Sequence, residues 1–449
     1  MVDMPTAIEP SPESFDGLPA GAVQTAPAST VATAVTIKTV AVMGLGYVGL
    51  PTGIALAAAG FDVIGVDVSE RRLADIQDGT ADLLADDRER LAAAIASEQL
   101  TLCCEAEAIA EADAVLICVP TPVDEERRPD LRSLASACAK VVDRARAGQL
   151  IILMSTTYVG TTKDLLAAPL LRRGLVPGID VNVAFSPERI DPGNTTWRQE
   201  AVPRVVGGVT PDCTRAARGL IEQIAACVHP VSSPEAAELS KLYENSFRAV
   251  NIAFANEMAD GCRRLGLDPL EVIEAAGTKP YGFMKFYPGP GVGGHCIPCD
   301  PHYLLWGLRE AQATVPVLER AMEGIAARPR VVVARAAELL EDRQIDVACA
   351  RVLLVGISYK PGIQDTRESP ALEMLAELTR RGAAVAYHDP LVRTLPLADG
   401  RALLSVVEPS AHEFDLAIVV TAHPGHDYSW LEHFEVLDYT YRAVARTAI

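Results

Sequence analysis

Between Val35 and Asp67 the hydrophobic pattern switches from strand to helix and back, with a glycine motif at the first switch. Val35 to Met43 is β-branched and apolar, Gly44-Leu45-Gly46-Tyr47-Val48-Gly49 fits G-x-G-x-x-G, and Thr52 to Ala59 reads as a helix. A second strand, Val63 to Val66, ends at Asp67, 18 residues past Gly49. Strand, glycine motif, helix, strand and acid in this order describe the opening βαβ unit of a dinucleotide-binding sheet. The glycines admit a pyrophosphate against the helix N-terminus, where free N–H groups and the dipole favour an anion. Asp67 suits an adenosine ribose and repels a 2′-phosphate, so the motif reads as NAD rather than NADP. The same stretch contains 23 residues without a charge, Thr39 to Phe61, a length able to cross a bilayer. Its glycines and Pro51 divide it, and a buried strand–turn–helix accounts for it better.

The alternation continues. Apolar runs at Ala114 to Val119, Leu150 to Met154 and Val181 to Phe185 end at Pro120-Thr121-Pro122, Ser155-Thr156-Thr157 and Ser186-Pro187-Glu188-Arg189. A shorter run, Val205-Val206, meets Gly207-Gly208. Loops at strand C-termini line the ligand crevice of an open parallel sheet. Thr121, Thr156 and Glu188 are therefore expected on one cleft, although each alone is equally well a helix cap or turn residue. A helix of about 32 residues, ~48 Å long, is expected from a Ser233 cap and Pro234 to an end before Gly266. That exceeds one small domain, so it bridges domains or pairs with a copy of itself. Lys241 and Asn245, four apart, share one of its faces. Val315 to Ile345 is mainly helical, and a second α/β unit follows: strand Arg351 to Val355, loop Gly356 to Glu368, helix Ser369 to Arg381, strands Ala384 to His388 and Leu416 to Val420. It lacks G-x-G-x-x-G, which points to a ligand with fewer phosphates, with Lys360 supplying positive charge.

Between these units lies Tyr287 to Tyr303, YPGPGVGGHCIPCDPHY. Its glycines describe a tight loop presenting one side chain, and Cys296 is the candidate, with Asp300 one turn on if a helix follows. Three readings stand at this point: a loop with incidental cysteines, a zinc site from Cys296, Cys299 and a histidine, and a reactive thiolate whose pKa neighbouring cations would lower.

Composition narrows the class. Against 40 basic residues stand 59 acidic ones, a net charge of −19, which argues against nucleic acid or anionic membrane as partner. Ten cysteines scattered through 449 residues form no disulfide framework and suit a reducing cytoplasm. Residues 1–36, rich in Pro, Ala, Ser and Thr, are expected to be a disordered tail without a signal-peptide layout.

Taken together, these motifs resemble the UDP-sugar 6-dehydrogenases, from about Ile37 to about Leu437. The set comprises the Gly44 to Gly49 loop, Pro120-Thr121-Pro122, Ser155-Thr156, Ser186-Pro187-Glu188-Arg189, Lys241 with Asn245, Gly293-Gly294-His295-Cys296 with Asp300, and Gly356 to Lys360. Phe286 to Gly291 and Glu188 to Asn194 look most like the UDP-N-acetylglucosamine branch. The resemblance implies an α/β fold: two Rossmann-like doubly wound domains, 37–230 for NAD and 346–449 for UDP, joined by a helical domain, 231–345, with one long helix. It implies four-electron oxidation of a sugar C6 alcohol by two NAD, through a Cys296 thiohemiacetal and thioester. In that scheme Lys241 and Asn245 stabilise the oxyanion, Asp300 and Thr156 act through a bound water, and Glu188 is the base for hydrolysis. The cofactor set is Gly44, Gly46, Tyr47, Val48, Gly49, Asp67, Arg72, Pro120, Thr121 and Thr156. The substrate set is Glu188, Arg189, Lys241, Asn245, Tyr287, Gly291, Gly293 and Lys360. No metal is implied, and dimerisation through the long helix is. Two positions depart from the family pattern: Cys299, and Asp438-Tyr439-Thr440-Tyr441 where relatives carry Asp-Thr-Arg, leaving Arg442 to supply that contact. UDP-glucose or another UDP-hexosamine as substrate, an inactive nucleotide-sugar binder, and a Cys296-x-x-Cys299 redox module are the rival readings.

Overall fold

The computed structural model describes residues 37–83, 85–124, 126–189, 199–294, 296–397 and 400–441. The expected tail, Ile190 to Asn194, His295 and Arg442 lie outside them. Eight strands form the first sheet: β1 (Thr39–Met43), β2 (Asp62–Val66), β3 (Leu100–Cys103), β4 (Ala114–Ile117), β5 (Leu150–Leu153), β6 (Asn182–Phe185), β7 (Arg204–Gly208) and β8 (Val228–Val231). Their order is β3-β2-β1-β4-β5-β6-β7-β8, and every pair is parallel except β6 with β7. The order reverses between β1 and β4, which opens a crevice at their C-terminal ends. Side chains alternate across β1: Val40 and Val42 enter one core with Leu50 and Ile54, while Ala41 and Met43 enter another with Val115 and Ile151. Covered on both faces, β4 and β5 are buried throughout and read as unbroken apolar runs.

A second sheet follows, from β9 (Arg351–Val355), β10 (Ala384–His388), β13 (Leu416–Val419) and β14 (Val436–Asp438), all parallel in the order β10-β9-β13-β14. A separate hairpin, β11 (Thr394–Pro396) with β12 (Ala402–Leu404), lies between β10 and β13 in sequence. Joining the two units is the central helix Pro234–Arg264. Ser233 Oγ accepts from Ala236 N–H at 3.3 Å, Pro234 occupies the first turn, and Gly266 follows the end at φ +71°. Its 31 residues make it ~46 Å long at 1.5 Å per residue. Leu242, Ala249 and Ala253 pack it against Tyr303 and Leu305 of helix Cys296–Glu310 and against Met322 and Ile325 of helix Pro316–Asp342. The architecture is thus two Rossmann-like sheets around a helical centre with one long helix. Among the described residues no helix is long and apolar enough to cross a membrane; Thr39 to Phe61 divides into β1, the glycine loop and helix Gly49–Ala58.

Candidate active site

The glycine loop after β1 is held from beneath. Gly44, at φ +86°, packs so closely that a Cβ there would lie 2.7 Å from Cys118 O, and one on Gly49 would lie 1.8 Å from Gly44 O. Gly46 faces open space. Asp67 braces the loop: Oδ2 accepts from Leu45 N–H at 2.8 Å and Oδ1 from Ser69 N–H at 2.9 Å. Arg72 Nε donates to Leu45 O at 2.8 Å. Val48 is the N-cap of helix Gly49–Ala58, yet no side chain caps that helix and its first turn holds no acid. Neither a capping side chain nor an acid therefore competes with an external anion at this N-terminus. Asp67 is half-buried, and each of its oxygens retains a lone pair. An open glycine, an uncapped helix and an accessible carboxylate fit NAD.

Three loops complete the crevice. After β4, Pro120 is exposed and Thr121 buried, and Pro122 O accepts from the Tyr303 hydroxyl at 3.1 Å. After β5, Thr156 is half-buried between Ser155, which donates to Val119 O at 2.8 Å, and Thr157, bonded to Thr161 at 3.0 Å. After β6, Glu188 is buried, with Oε1 accepting from Arg189 N–H at 2.7 Å and Oε2 paired with Arg204. The Arg189 guanidinium is engaged by Glu244 of the central helix and by Pro203 O at 2.8 Å.

One face of the central helix meets this crevice. Glu238, Lys241 and Asn245 fall three and four residues apart, and all three are buried. Glu238 accepts from Gly160 N–H at 2.6 Å and from Thr162 N–H at 2.9 Å, fixing the segment beyond Thr156. Asn245 Nδ2 donates to Asp300 Oδ2 at 2.5 Å. Burial pushes the Asp300 carboxyl up to about 6, against the opposing pull of Lys241 and of the Asn245 bond. Lys241 forms no ion pair among the described residues and acts on Asp300 and Cys296 through its field.

Cys296 opens the helix that carries Asp300 one turn later. Its thiol is pushed up by burial and by Asp300, and Lys241, Arg248 and Arg367 pull it back only in part. The expected lowering by neighbouring cations is therefore outweighed by desolvation. Cys299 is buried and pushed up to about 12 by burial and Asp300. Among the described residues no three His, Cys, Asp or Glu side chains group as metal ligands.

The glycines before Cys296 dock the loop onto the C-terminal unit. A Cβ on Gly291 would lie 2.6 Å from Pro370 Cβ, and one on Gly293 would lie 2.5 Å from Tyr359 Cβ. Gly294, at φ +77°, donates from N–H to Arg367 O at 2.9 Å. Arg367 is bidentate to Asp365, and its guanidinium stands 4.4 Å from the centroid of the Tyr47 ring. The Tyr47 hydroxyl, bonded to Asp82 at 3.2 Å, is pushed up to about 12 by burial, Asp365 and Asp82. Lys360 lies half-buried in the loop after β9. Tyr287 points its hydroxyl at Glu274, 2.6 Å away. Arg204, Glu238 and Arg367 are parts of this site that the motifs did not single out. Glu238 had a signal, its register with Lys241 and Asn245; Arg367 had Asp365 two residues before it; Arg204 had only a charge at the start of an apolar strand.

The sequence agrees with this geometry along nearly its whole length. Three models of the UDP-glucose/GDP-mannose dehydrogenase family match: the NAD binding domain at residues 38–225, the central domain at 235–324 and the UDP binding domain at 353–441. The chain belongs to that family. It is an NAD-dependent UDP-sugar dehydrogenase acting on CH–OH. An NDP-N-acetyl-D-galactosaminuronic acid dehydrogenase of Ralstonia solanacearum is 34% identical over 397 residues, 86% of this chain and 91% of the relative. A UDP-N-acetyl-D-glucosamine 6-dehydrogenase of Pseudomonas aeruginosa is 33% identical, covering 86% and 90%. The solved UDP-D-ManNAc dehydrogenase of Pyrococcus horikoshii superposes with a TM-score of 0.83 at 30% identity, over 92% of this chain and 97% of that one.

Proposed function

We propose that this dehydrogenase oxidises the C6 hydroxymethyl of UDP-N-acetylglucosamine to the carboxylate in two NAD-dependent steps, with Cys296 holding the sugar between them. The observation that carries the reading is the convergence of Lys241 and Asn245, from one helix face, on Asp300, one turn beyond Cys296. NAD held by the Gly44 to Gly49 loop and Asp67 would supply the hydride acceptor for each oxidation. The chain supplies the rest. Lys241 and Asn245 stabilise the oxyanion that forms at C6, and one such preorganised donor is worth ~3–4 kcal/mol. A carboxyl of pKa about 6 takes and returns protons near neutral pH, which suits Asp300 with a water ordered by Thr156. Cys296 Sγ adds to the aldehyde carbon as its proton leaves toward Asp300, giving a thiohemiacetal; this matches a thiol that is not ionised at rest and needs a neighbouring base. Loss of the second hydride gives a thioester. Glu188 then takes one proton from water, the water oxygen attacks the carbonyl carbon, and the C–S bond breaks as the remaining proton passes to sulfur, freeing the carboxylate and the Cys296 thiol.

Relatives of 32–34% identity carry names for three different N-acetylhexosamines, so identity alone does not choose the sugar. Phe286 to Gly291 and Glu188-Arg189 favour the N-acetylglucosamine form. The uridine diphosphate is assigned to the C-terminal unit, with Lys360 on the diphosphate and Gly291, Gly293, Tyr287 and Arg189 around the substrate. Leu239, Tyr243, Phe247, Phe254 and Met258 are exposed along the central helix at helical spacing, and a second copy of that helix is the proposed cover. Light scattering at twice the chain mass is the expected result, and a monomer would remove that assignment. All ten cysteines are free, in keeping with a cytoplasmic setting.

NADH formed per mole of limiting UDP-sugar tests the reaction, with UDP-N-acetylglucosamine, UDP-N-acetylgalactosamine, UDP-N-acetylmannosamine and UDP-glucose in parallel. Two NADH with the first alone is expected. Two with another sugar would correct the substrate, one would mean that the reaction stops at the aldehyde, and none would support a binding role.

A further inference from the structure

Arg204 opens β7 and, at 1% exposure, is the largest fully buried side chain of the described residues. Only one of its three nitrogens is engaged. Nη1 donates to Glu188 Oε2, while Nε and Nη2 are buried without a hydrogen-bond partner among the described residues. A guanidinium buried with unpaired donors is costly, and an apolar residue of similar size would fill such a site at lower cost. Packing therefore does not explain this residue. Topology explains its location. The first residue of a parallel strand would lie at the edge of the sheet remote from the crevice. However, β7 is antiparallel to β6, so its start comes level with the C-terminal end of β6, where Glu188 sits.

We infer that Arg204 is a positioning residue for thioester hydrolysis, holding the Glu188 carboxylate in the orientation from which it takes the proton of the attacking water. The two carboxylate oxygens are addressed from different sides, Oε2 by Arg204 and Oε1 by Arg189 N–H at 2.7 Å. Arg189 is itself tied to Pro203 O, one residue before Arg204, and to Glu244. The carboxylate is thus clamped between β7 and the central helix, with Arg204 acting only through Glu188. The inference rests on the proposed role of Glu188, and the experiment separates the two.

Stopped-flow NADH formation is measured for the wild type, Arg204→Met, Arg204→Lys, Glu188→Gln and the Arg204→Met/Glu188→Gln double variant, with UDP-N-acetylglucosamine and excess NAD. Arg204→Met is expected to keep a burst of two NADH per site at an unchanged rate. Its steady-state rate falls by ~10- to 100-fold, the range found when a side chain that orients a metal ligand from behind is removed. An adduct on Cys296 then accumulates in the intact-protein mass. Arg204→Lys keeps the charge and recovers part of the rate, and the double variant is no slower than Glu188→Gln. An unchanged steady state in Arg204→Met overturns the inference. So does an equal fall of burst and steady state, or additive losses in the double variant. If Arg204→Met does not fold, the ratio of burst to steady-state rate in Arg204→Lys decides by the same criteria. Wild type that fails to form two NADH per mole of limiting UDP-N-acetylglucosamine, by contrast, refutes the proposed function itself.

Discussion

Asp67 and Asp389 occupy equivalent positions in the two sheets. Each follows the second strand of its unit, β2 or β10, and accepts from a backbone N–H of the opposing loop at 2.8 Å, Leu45 for Asp67 and Ile357 for Asp389. The preceding glycines, Gly44 and Gly356, have φ +86° and +84°, and each donates to the last carbonyl of the neighbouring strand at 2.8 Å. One backbone device therefore starts both units, although only the first carries the dinucleotide motif. Their surroundings differ. Asp389 is fully buried against His423 at 3.2 Å, whereas Asp67 is half-buried beside the open loop. Burial opposes ionisation of Asp389, but His423 and the N–H groups of Ile357 and Leu391 outweigh it and hold the carboxyl well below the usual range.

That difference separates two substitutions. Asp389→Asn is expected to destabilise the fold by ~1–3 kcal/mol, the order found when a buried hydrogen-bonding group loses its charged partner. Asp67→Asn should leave thermal unfolding nearly unchanged and raise KM for NAD by ~10-fold, a loss of ~1.4 kcal/mol of binding. Denaturant titration and NAD kinetics check both, and an unchanged KM in Asp67→Asn would detach Asp67 from the cofactor.

Cys299→Ser is expected to retain full activity. A buried thiol held at about 12 carries negligible thiolate at neutral pH, so it neither attacks an aldehyde nor exchanges with Cys296. Cys296→Ser should abolish acid formation. Equal losses in the two variants would restore the Cys296-x-x-Cys299 redox reading.

What the sequence disclosed follows from the range of each interaction. Helix Pro234–Arg264 was legible because Ser233, Pro234 and Gly266 mark its ends locally, and β4 and β5 because burial on both faces leaves unbroken apolar runs. The strands β3, β8 and β14 are short and only partly buried, without a run long enough to signal them. Arg204 and Glu188 could not be paired from their spacing, since their meeting depends on the reversed direction of β7. Arg367 meets Tyr47 from more than 300 residues away, which no periodicity records. One sequence reading of Cys296 was a thiolate whose pKa neighbouring cations would lower, and only the packed structure reveals the opposing desolvation.

Lys241→Ala is expected to lower kcat by ~10²-fold or more, as for other preorganised oxyanion donors. KM for the UDP-sugar should change less, because the charge being stabilised develops only in the transition state. Steady-state kinetics at saturating NAD check this, and an unchanged kcat would exclude Lys241 from catalysis. Lys241→Met, which fills the volume without charge, should behave as Lys241→Ala does; rescue by methionine would mean that the stem acts by packing.

Asp300→Asn should trade activity for stability, with a defined pH dependence. Unfolded, the Asp300 carboxyl loses its proton near 3.8; folded, it keeps it to about 6. The native state therefore binds the proton more tightly, and its stability falls as pH rises through that interval. Below about pH 4 the carboxyl is neutral in both states and costs nothing extra. Above pH 6 the full penalty applies, about 3 kcal/mol for a shift of roughly two units. Asparagine removes this penalty while its carbonyl still accepts from Asn245. The variant should match the wild type in thermal unfolding at pH 4, exceed it at pH 8, and lose oxidation of the alcohol because no base remains. The same titration gives the wild-type rate an acid limb near pH 6, since the ionised carboxylate is the form that accepts a proton. A variant with no stability gain at pH 8 would show that Lys241 and Asn245 already offset the burial of the charge.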